Sequence, residues 1–366
     1  MKTLAFQVKK KNPVETRLIS TNEVPLAEGE IRLKVELFAF TANNLTYAAA
    51  GDMLGYWTFF PAAENADNSW GTIPVWSFAH VMETRNKDIA IGDRYYGYFP
   101  PATSVVMLPT NVSDEGFVDG VAHRQALPKL YNQYQKVPAA EIRNSDKDIA
   151  RALLAPLHGT SFCLWEKLKD NSYYHAAQVV IVSASSKTSI GLAHGLHKDC
   201  NAPPVVGITS SGHANYVKSL SVYDSVITYD GLENTLPLNP TVVVDMAGNS
   251  AVRRRLHDEL QSKLLYYVSV GLTHWEDLTE PNNDSGVTET RLGEQFFAPT
   301  YLANRGQSPT AQQFETEIVD FIASAVQATF PSIDVDKRAG LIELDEIYEQ
   351  ICHGKIPPHV GIVVEM

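Results

Sequence analysis

A doubly wound α/β sheet is the fold class predicted for the second half of this 366-residue chain, and three observations predict it. Runs such as Gln178 to Val182, Thr241 to Asp245 and Tyr266 to Val270 are apolar on both faces, as parallel strands covered by helices must be. They alternate with helical segments in a repeated strand, helix, strand order. The first of them runs through a tight small-residue turn, Ser183-Ala-Ser-Ser-Lys-Thr-Ser189, directly into a helix.

Taken in order, Thr3 to Val8, Ile31 to Phe40, Ile73 to Thr84 and Asp93 to Phe99 read as strands separated by the turn signals Ala27-Glu-Gly-Glu30 and Ile91-Gly-Asp93. They predict a compact β barrel or sandwich. From about Pro100 to Ala150 periodicity fades while Pro, Asn, Asp and Tyr cluster, which predicts a long excursion or lid with short helices and not a domain core. The doubly wound part follows. After the strand at 178–182 and a helix from near Thr188 come a strand at Val205 to Thr209 and a helix around Ala214 to Leu220. Strands at Ser225 to Thr228 and Thr241 to Ala247, a helix from Ala251 to Leu260 and a strand from Leu264 to Gly271 complete the series.

Composition excludes several function classes. Hydrophobic residues at 44% and charged residues at 20% describe an ordinary globular protein of about two domains. A net charge of −12 argues against a broad footprint for nucleic acid or an anionic membrane. Cys163, Cys200 and Cys352 are scattered and odd in number, so neither a disulfide framework nor a Cys-rich zinc site is expected. No apolar run reaches membrane-spanning length and the first residues are unlike a signal peptide, so a reducing, cytoplasmic setting is expected.

The turn at Ser183, Ser185, Ser186, Lys187, Thr188 and Ser189 offers hydroxyl and backbone N–H donors, and the helix behind it directs its positive dipole end at any anion lying there. Nucleotide phosphates would sit at such a corner; a purely structural strand-turn-helix corner is the alternative. Of the three glycines of a dinucleotide turn only Gly191 stands, where a glycine lets the helix pack tightly on the sheet. Lys187 would offset phosphate charge or reach a 2′-phosphate, or else be a solvated surface lysine. At the end of the second strand, Gly207-Ile-Thr-Ser-Ser-Gly-His-Ala-Asn215 contains no acid. Thr209, Ser210, Ser211, His213 and Asn215 offer donors suited to a 2′-phosphate, or cap the next helix. An NAD site usually places a carboxylate there, so the loop points to NADP(H). Asp245 is expected to accept backbone N–H bonds in its own turn.

In their order along the chain, Gly92-Asp-Arg-Tyr-Tyr-Gly97, Leu157-His-Gly-Thr-Ser-Phe162, the nucleotide fold and the helix Glu343 to Lys355 before a last strand at Gly361 to Glu365 resemble the medium-chain dehydrogenase/reductase superfamily. Within it the chain is similar to the zinc-free quinone-oxidoreductase side. Ser183-Ala-Ser-Ser-Lys-Thr188, Val244-Asp-Met-Ala-Gly-Asn249, Gly271-Leu-Thr-His-Trp275 and Phe296-Phe-Ala-Pro299 resemble an uncharacterised branch of it. The resemblance implies a GroES-like β domain over 1–155 with a long insert at about 100–150, completed by 330–366. It implies a Rossmann domain over 156–329 and a cofactor in the cleft between the two. It places Ala247, Gly271 and His274 on the cofactor edge of the sheet. The Gly-His-Glu of the zinc members is replaced by Val75-Trp-Ser-Phe78, so no metal is expected.

The segment Phe38 to Tyr47, with Tyr56 to Phe60 after it, lies where the quinone-oxidoreductase relatives carry an Asn-containing substrate wall; Thr46 stands in place of the usual Asp. Asn43 or Asn44 would hydrogen-bond a carbonyl oxygen, and Tyr47 or Tyr56 would donate the proton that follows hydride addition. Core packing is the alternative for each. The expected function is an NADPH-dependent, zinc-independent oxidoreductase reducing a carbonyl, quinone or activated double bond of a small apolar substrate. The alternative is a non-catalytic NADP(H)-binding sensor or interaction protein of the same fold. The expected partner is a small-molecule substrate, with no nucleic acid and no membrane, and a homodimer follows by analogy.

Overall fold

A computed structural model describes residues 2–270 and 294–366. The chain divides into two compact units, Met1–Leu153 with Asp334–Met366, and Leu154–Ile333.

The first unit opens with strands β1 (Lys2–Lys9), β2 (Asn12–Asn22) and β3 (Ile31–Phe40), then helix α1 (Ala42–Ala49). Strands β4 (Trp70–Gly71), β5 (Val75–Thr84), β6 (Arg94–Phe99), β7 (Ser104–Met107), β8 (Pro109–Ser113), β9 (Gly116–Asp119) and β10 (Gln133–Val137) follow. β1 lies between β2 and β4 in a three-stranded sheet. The long β3, buried at nine of its ten positions, pairs antiparallel with β5, and β5 with β6. The connection from β5 to β6 ends in a tight turn because Gly92 adopts φ +91, open to glycine at little cost, while Asp93 accepts the Ala90 N–H.

The stretch from Pro100 to Ala150 departs from the expected lid. β7 pairs with β3, while β8, β9 and β10 extend the main sheet from β6. Phe117, Tyr131, Tyr134 and Val137 are core residues there. A buried ion pair between Arg124 and Asp119, with Asp119 also accepting the Leu108 and Val121 N–H groups, fastens the segment internally. The sequence pattern concealed this because the strands have only four or five residues and two of them, β8 and β10, are mostly exposed and polar, as in Gln-Tyr-Gln-Lys-Val of β10.

Helix α2 (Asp146–Asp170) precedes β11 (Gln178–Val182), α3 (Lys187–Lys198), β12 (Val205–Thr209), α4 (Ala214–Ser219) and β13 (Ser225–Thr228). Then come α5 (Leu232–Thr235), β14 (Thr241–Asp245), α6 (Ser250–Leu260), β15 (Leu264–Ser269), β16 (Glu294–Gln295), α7 (Ala298–Arg305) and α8 (Ala311–Thr329). The six strands of the second unit are all parallel, in spatial order β13-β12-β11-β14-β15-β16. Alternate residues feed opposite cores. Val179, Ile181, Val242, Val244 and Val268 join Phe162, Leu192, Leu196 and Phe314, from α2, α3 and α8. Val180, Val182, Val206, Val243 and Tyr267 join Leu232, Leu256 and Leu260, from α5 and α6. Both sheet faces are therefore covered, which is why these strands carry no polar face.

The last residues return to the first unit: β17 (Asp334–Ala339) runs parallel to β18 (Val360–Glu365), with α9 (Gly340–Cys352) between them, and β18 pairs antiparallel with β3. Among the described residues no helix is long and apolar enough to cross a membrane.

Truncating the central strand should be costly. Ile181→Ala removes a fully buried side chain and should destabilise the protein by about 2 to 5 kcal/mol, whereas Leu238→Ala, half exposed, should cost less than about 0.5 kcal/mol. Urea unfolding followed by far-UV circular dichroism reads both, and equal midpoints would contradict a doubly covered β11.

Candidate functional site

In an open parallel sheet, ligands bind outside the carboxyl ends of the strands where strand order reverses. Here the reversal falls between β11 and β14, whose last residues Val182 and Asp245 are register partners. Directly past Val182 the chain enters Ser183 at φ +62, a left-handed conformation that costs a side-chain-bearing residue about 1 kcal/mol relative to glycine. Hydroxyls then close the turn. The Ser186 N–H donates to the Ser183 carbonyl at 2.9 Å, and Ser186 caps α3 by accepting the Ser189 N–H at 3.1 Å. The Ser186 hydroxyl lies 2.8 Å from that of Ser189, which donates to the Ser183 carbonyl at 2.8 Å. Two tyrosines hold the turn from outside: the Tyr229 hydroxyl accepts the Ser183 N–H, and the Tyr223 hydroxyl donates to the Ala184 carbonyl at 2.7 Å.

The end of β12 meets this corner. Thr209 is buried, Ser210 is half-buried, Ser211 opens a short 3-10 turn, and Asn215 is exposed on α4. Ser185 Oγ stands 3.4 Å from His213 Nδ1, which brings the first and second loops together. Between 183 and 191 and between 207 and 215 there is no Asp or Glu. Lys187 is half-buried, and burial pushes its ammonium down to about 8, because an ion is disfavoured where water is excluded. A helix leaves its first N–H groups without intrahelical acceptors, and Thr188 follows this lysine in the first turn of α3.

Asp245 is structural, as its sequence context indicated. One carboxylate oxygen accepts the Ala247 and Gly248 N–H groups at 2.9 and 3.0 Å, and the other accepts the Tyr267 hydroxyl at 2.7 Å. It thereby shapes the Ala247 corner opposite the serine turn. Gly191 needs correction in its reason. A Cβ there would meet Ser161 Oγ and His158 Cδ2 at 2.6 Å, so the missing side chain lets α3 approach helix α2 and not the sheet. Gly271 and His274 lie outside the described residues.

The residues expected to form a substrate wall sit in the first unit, on and after α1. Asn44 is committed to the fold: its Oδ1 accepts the Thr41 N–H at 2.8 Å and its Nδ2 donates to the Pro74 carbonyl at 2.9 Å. Asn43, one residue earlier, donates to the Tyr47 hydroxyl at 2.8 Å. Tyr47 is buried, and burial pushes its phenol up to about 12, with the Trp76 N–H, the Asn43 amide and Tyr98 acting in the opposite sense. Its ring lies 4.5 Å from Tyr56 and 5.7 Å from Tyr98. The Tyr56 and Tyr131 hydroxyls are 3.1 Å apart, and burial raises both phenols. The sequence reading missed Trp76, Tyr98 and Tyr131. Trp76 and Tyr98 are direct cross-strand partners on β5 and β6, a pairing legible only once register is known.

Among the described residues no three His, Cys, Asp or Glu side chains gather as metal ligands. His80, beside the position of the zinc members' motif, instead contacts Glu36 at 2.7 Å in a network with Arg94, Arg143 and Asp148.

Solved structures share the fold. CurA in complex with NADPH from Vibrio vulnificus superimposes with a TM-score of 0.62 at 11% identity, covering 96% of this chain and 94% of that one. The quinone oxidoreductase from Coxiella burnetii gives 0.56 at 14% identity with both chains fully covered. Mycobacterial Rv1454c complexed with NADPH gives 0.58 at 14% identity, again with full coverage of both. At these identities the likeness establishes the fold, that of the medium-chain dehydrogenase/reductases with a GroES-like and a Rossmann domain. No curated protein matches the chain. Residues 38–357, most of its length, match the family described as protein of unknown function (DUF2855), and the chain belongs to that family.

Proposed function

We propose that this chain is an NADPH-dependent, zinc-independent oxidoreductase that reduces a carbonyl, quinone or activated double bond of a small apolar substrate. The observation that carries the reading is the corner at the strand-order reversal, where the turn carrying Lys187 and its hydroxyls meets the loop after β12 through Ser185 and His213 and neither loop contains a carboxylate. That donor set fits a polyanion: the ammonium and the Ser185 and Thr188 groups meet phosphate, while Ser183, Ser186, Ser189 and Gly191 shape the turn that presents them. Thr209, Ser210, Ser211 and Asn215 surround a ribose 2′-phosphate, which a carboxylate there would repel. Ala247 lines the opposite wall. Two structures of this fold, CurA and Rv1454c, are complexed with NADPH, which supports the cofactor.

When bound, NADPH supplies a hydride. The chain orients and polarises the acceptor. Tyr47 receives the Asn43 amide on its oxygen, so its own proton is directed to a substrate oxygen, and a phenol pushed up to about 12 stays protonated throughout the physiological range. Tyr56 packs behind it and sets the apolar wall. A homodimer and a cytoplasmic location are proposed with this reading. A non-catalytic NADP(H) sensor is the second reading, favoured by the number of turn groups already bonded to one another.

Isothermal titration with NADPH and NADH should show tighter binding of NADPH, and Ser211→Asp should weaken NADPH by about tenfold through repulsion of the 2′-phosphate. Preference for NADH would contradict the acid-free loop. Assays of NADPH oxidation over quinones, enones and aldehydes, run in chelator, should show turnover; binding without turnover selects the sensor. Tyr47→Phe should lower kcat by about 100-fold and leave the NADPH dissociation constant nearly unchanged.

Lys187 makes cofactor binding pH-dependent. Its ammonium, held down to about 8 in the free protein, gains a phosphate partner on binding, so its bound value lies higher. NADPH binding at pH 8 to 9 should therefore take up a proton, and affinity should fall as pH rises above about 8. Lys187→Ala should cost about 1.5 to 3 kcal/mol of binding at pH 7 and flatten that dependence. Titration in buffers of different ionisation enthalpy reads both, and an unchanged affinity in Lys187→Ala would remove the lysine from the site.

A further inference from the structure

We propose that Tyr98 and Trp76 form, with Tyr47, a donor triad that receives the oxygen of a planar aryl or conjugated ketone. The proposal deepens the oxidoreductase reading and rests on it for the reaction, but the binding site stands on the first unit alone. Tyr98 is fully buried, yet its hydroxyl closes no hydrogen bond; neither does the buried Nε1 of Trp76. The two are cross-strand partners on β5 and β6, so their side chains leave the sheet on the same face. Both lie against the hydroxyl of Tyr47.

Donors outnumber acceptors in this cluster. The Tyr47 oxygen already accepts from Asn43, and the Tyr56 and Tyr131 hydroxyls satisfy each other. With Asn43 on it, the Tyr47 oxygen has one lone pair left for the two donors that lean on it, Trp76 Nε1 and the Tyr98 hydroxyl, so at least one proton of the three groups is left for an outside acceptor. A buried donor without a partner destabilises a fold, so two adjacent ones call for an account beyond packing. The surroundings select the acceptor's chemistry. Tyr56, Phe59, Tyr96 and Tyr131 press ring to ring around the donors, with Trp76 stacked on Tyr96 at 5.6 Å and Tyr98 tilted against Tyr131 at 4.5 Å. Such walls admit a flat apolar body carrying one oxygen and reject a charged or heavily hydroxylated one. An oxygen that gains negative charge as hydride reaches its carbon is stabilised by such preset donors more than the neutral ketone is.

The test uses acetophenone as a planar aryl ketone and α-methylstyrene as its isostere without the oxygen, titrated against the full-length protein with and without NADPH. Wild type should bind acetophenone tighter by about tenfold or more, the contribution of placing an acceptor among unpaired donors. Tyr98→Phe should erase most of that difference while leaving NADPH affinity unchanged and melting at or above the wild-type temperature, because it deletes an unpartnered hydroxyl. Trp76→Phe should also erase it, read on the folded protein whatever its melting temperature. Equal binding of the two probes by wild type would overturn the triad while leaving the NADPH reading intact. A Tyr98→Phe protein that melts lower and keeps its preference for acetophenone would overturn it too, since the hydroxyl would then serve the fold. Binding of neither probe overturns it as well, and loss of NADPH binding in wild type would separately remove the reading on which the reaction rests.

Discussion

The pairing of β11 with β14 governs the second unit. Parallel strands cannot be joined by a hairpin, so each crossover must place a helix on one face of the sheet, and the faces change where the chain steps from one side of β11 to the other. At that step Val182 and Asp245 end side by side. Their continuations diverge to α3 and α6, on opposite faces, and leave two short turns facing each other. The serine turn and the Ala247 turn owe their positions to this constraint and not to any motif they contain.

Within that frame the first turn does without the glycines that generally serve there. Ser183 takes the left-handed conformation with its Cβ present, and hydrogen bonds to the turn's backbone hold it: Ser189 donates to the Ser183 carbonyl, while Tyr229 and Tyr223, on either side of β13, engage the Ser183 N–H and the Ala184 carbonyl. The arrangement exchanges backbone openness for rigidity. It also shifts the capacity to meet an anion from the backbone to side chains, chiefly Lys187 and the hydroxyls of Ser185 and Thr188. A half-buried lysine whose ammonium is held down to about 8 stays charged at neutral pH by a small margin, and in the proposed reading this would tie ligand affinity to pH in a way that a glycine turn does not.

The first unit shows the complementary economy of burial. Tyr47, Tyr56, Tyr98 and Tyr131 are all raised by desolvation and stay neutral, so four phenols can be packed together without the repulsion that charges would bring. Neutral donors in an apolar box bind a neutral oxygen well and a charged group poorly. Tyr98 and Trp76 bury polar groups beside the Tyr47 hydroxyl without closing a hydrogen bond of full geometry.

Periodicity determined the parallel strands of the second unit, because side chains buried on both faces leave continuous apolar runs, as in Thr-Val-Val-Val-Asp of β14. Turn chemistry determined the corners at Gly29 and Gly92, and the acid-free loop after β12 was plain in the residues themselves. Tertiary structure decided the rest. The strands β8 to β10 were hidden because runs of four or five residues, mostly exposed and polar in β8 and β10, look like polar loop until neighbouring strands supply the partners. Gly191 was readable as a close approach, but only packing showed that the neighbour is α2. Asn43 and Asn44 are indistinguishable as letters. Cap geometry at Thr41 and the Pro74 carbonyl commit Asn44 to the fold and leave Asn43 beside Tyr47, because a side chain's role depends on which of its hydrogen bonds the fold has already taken.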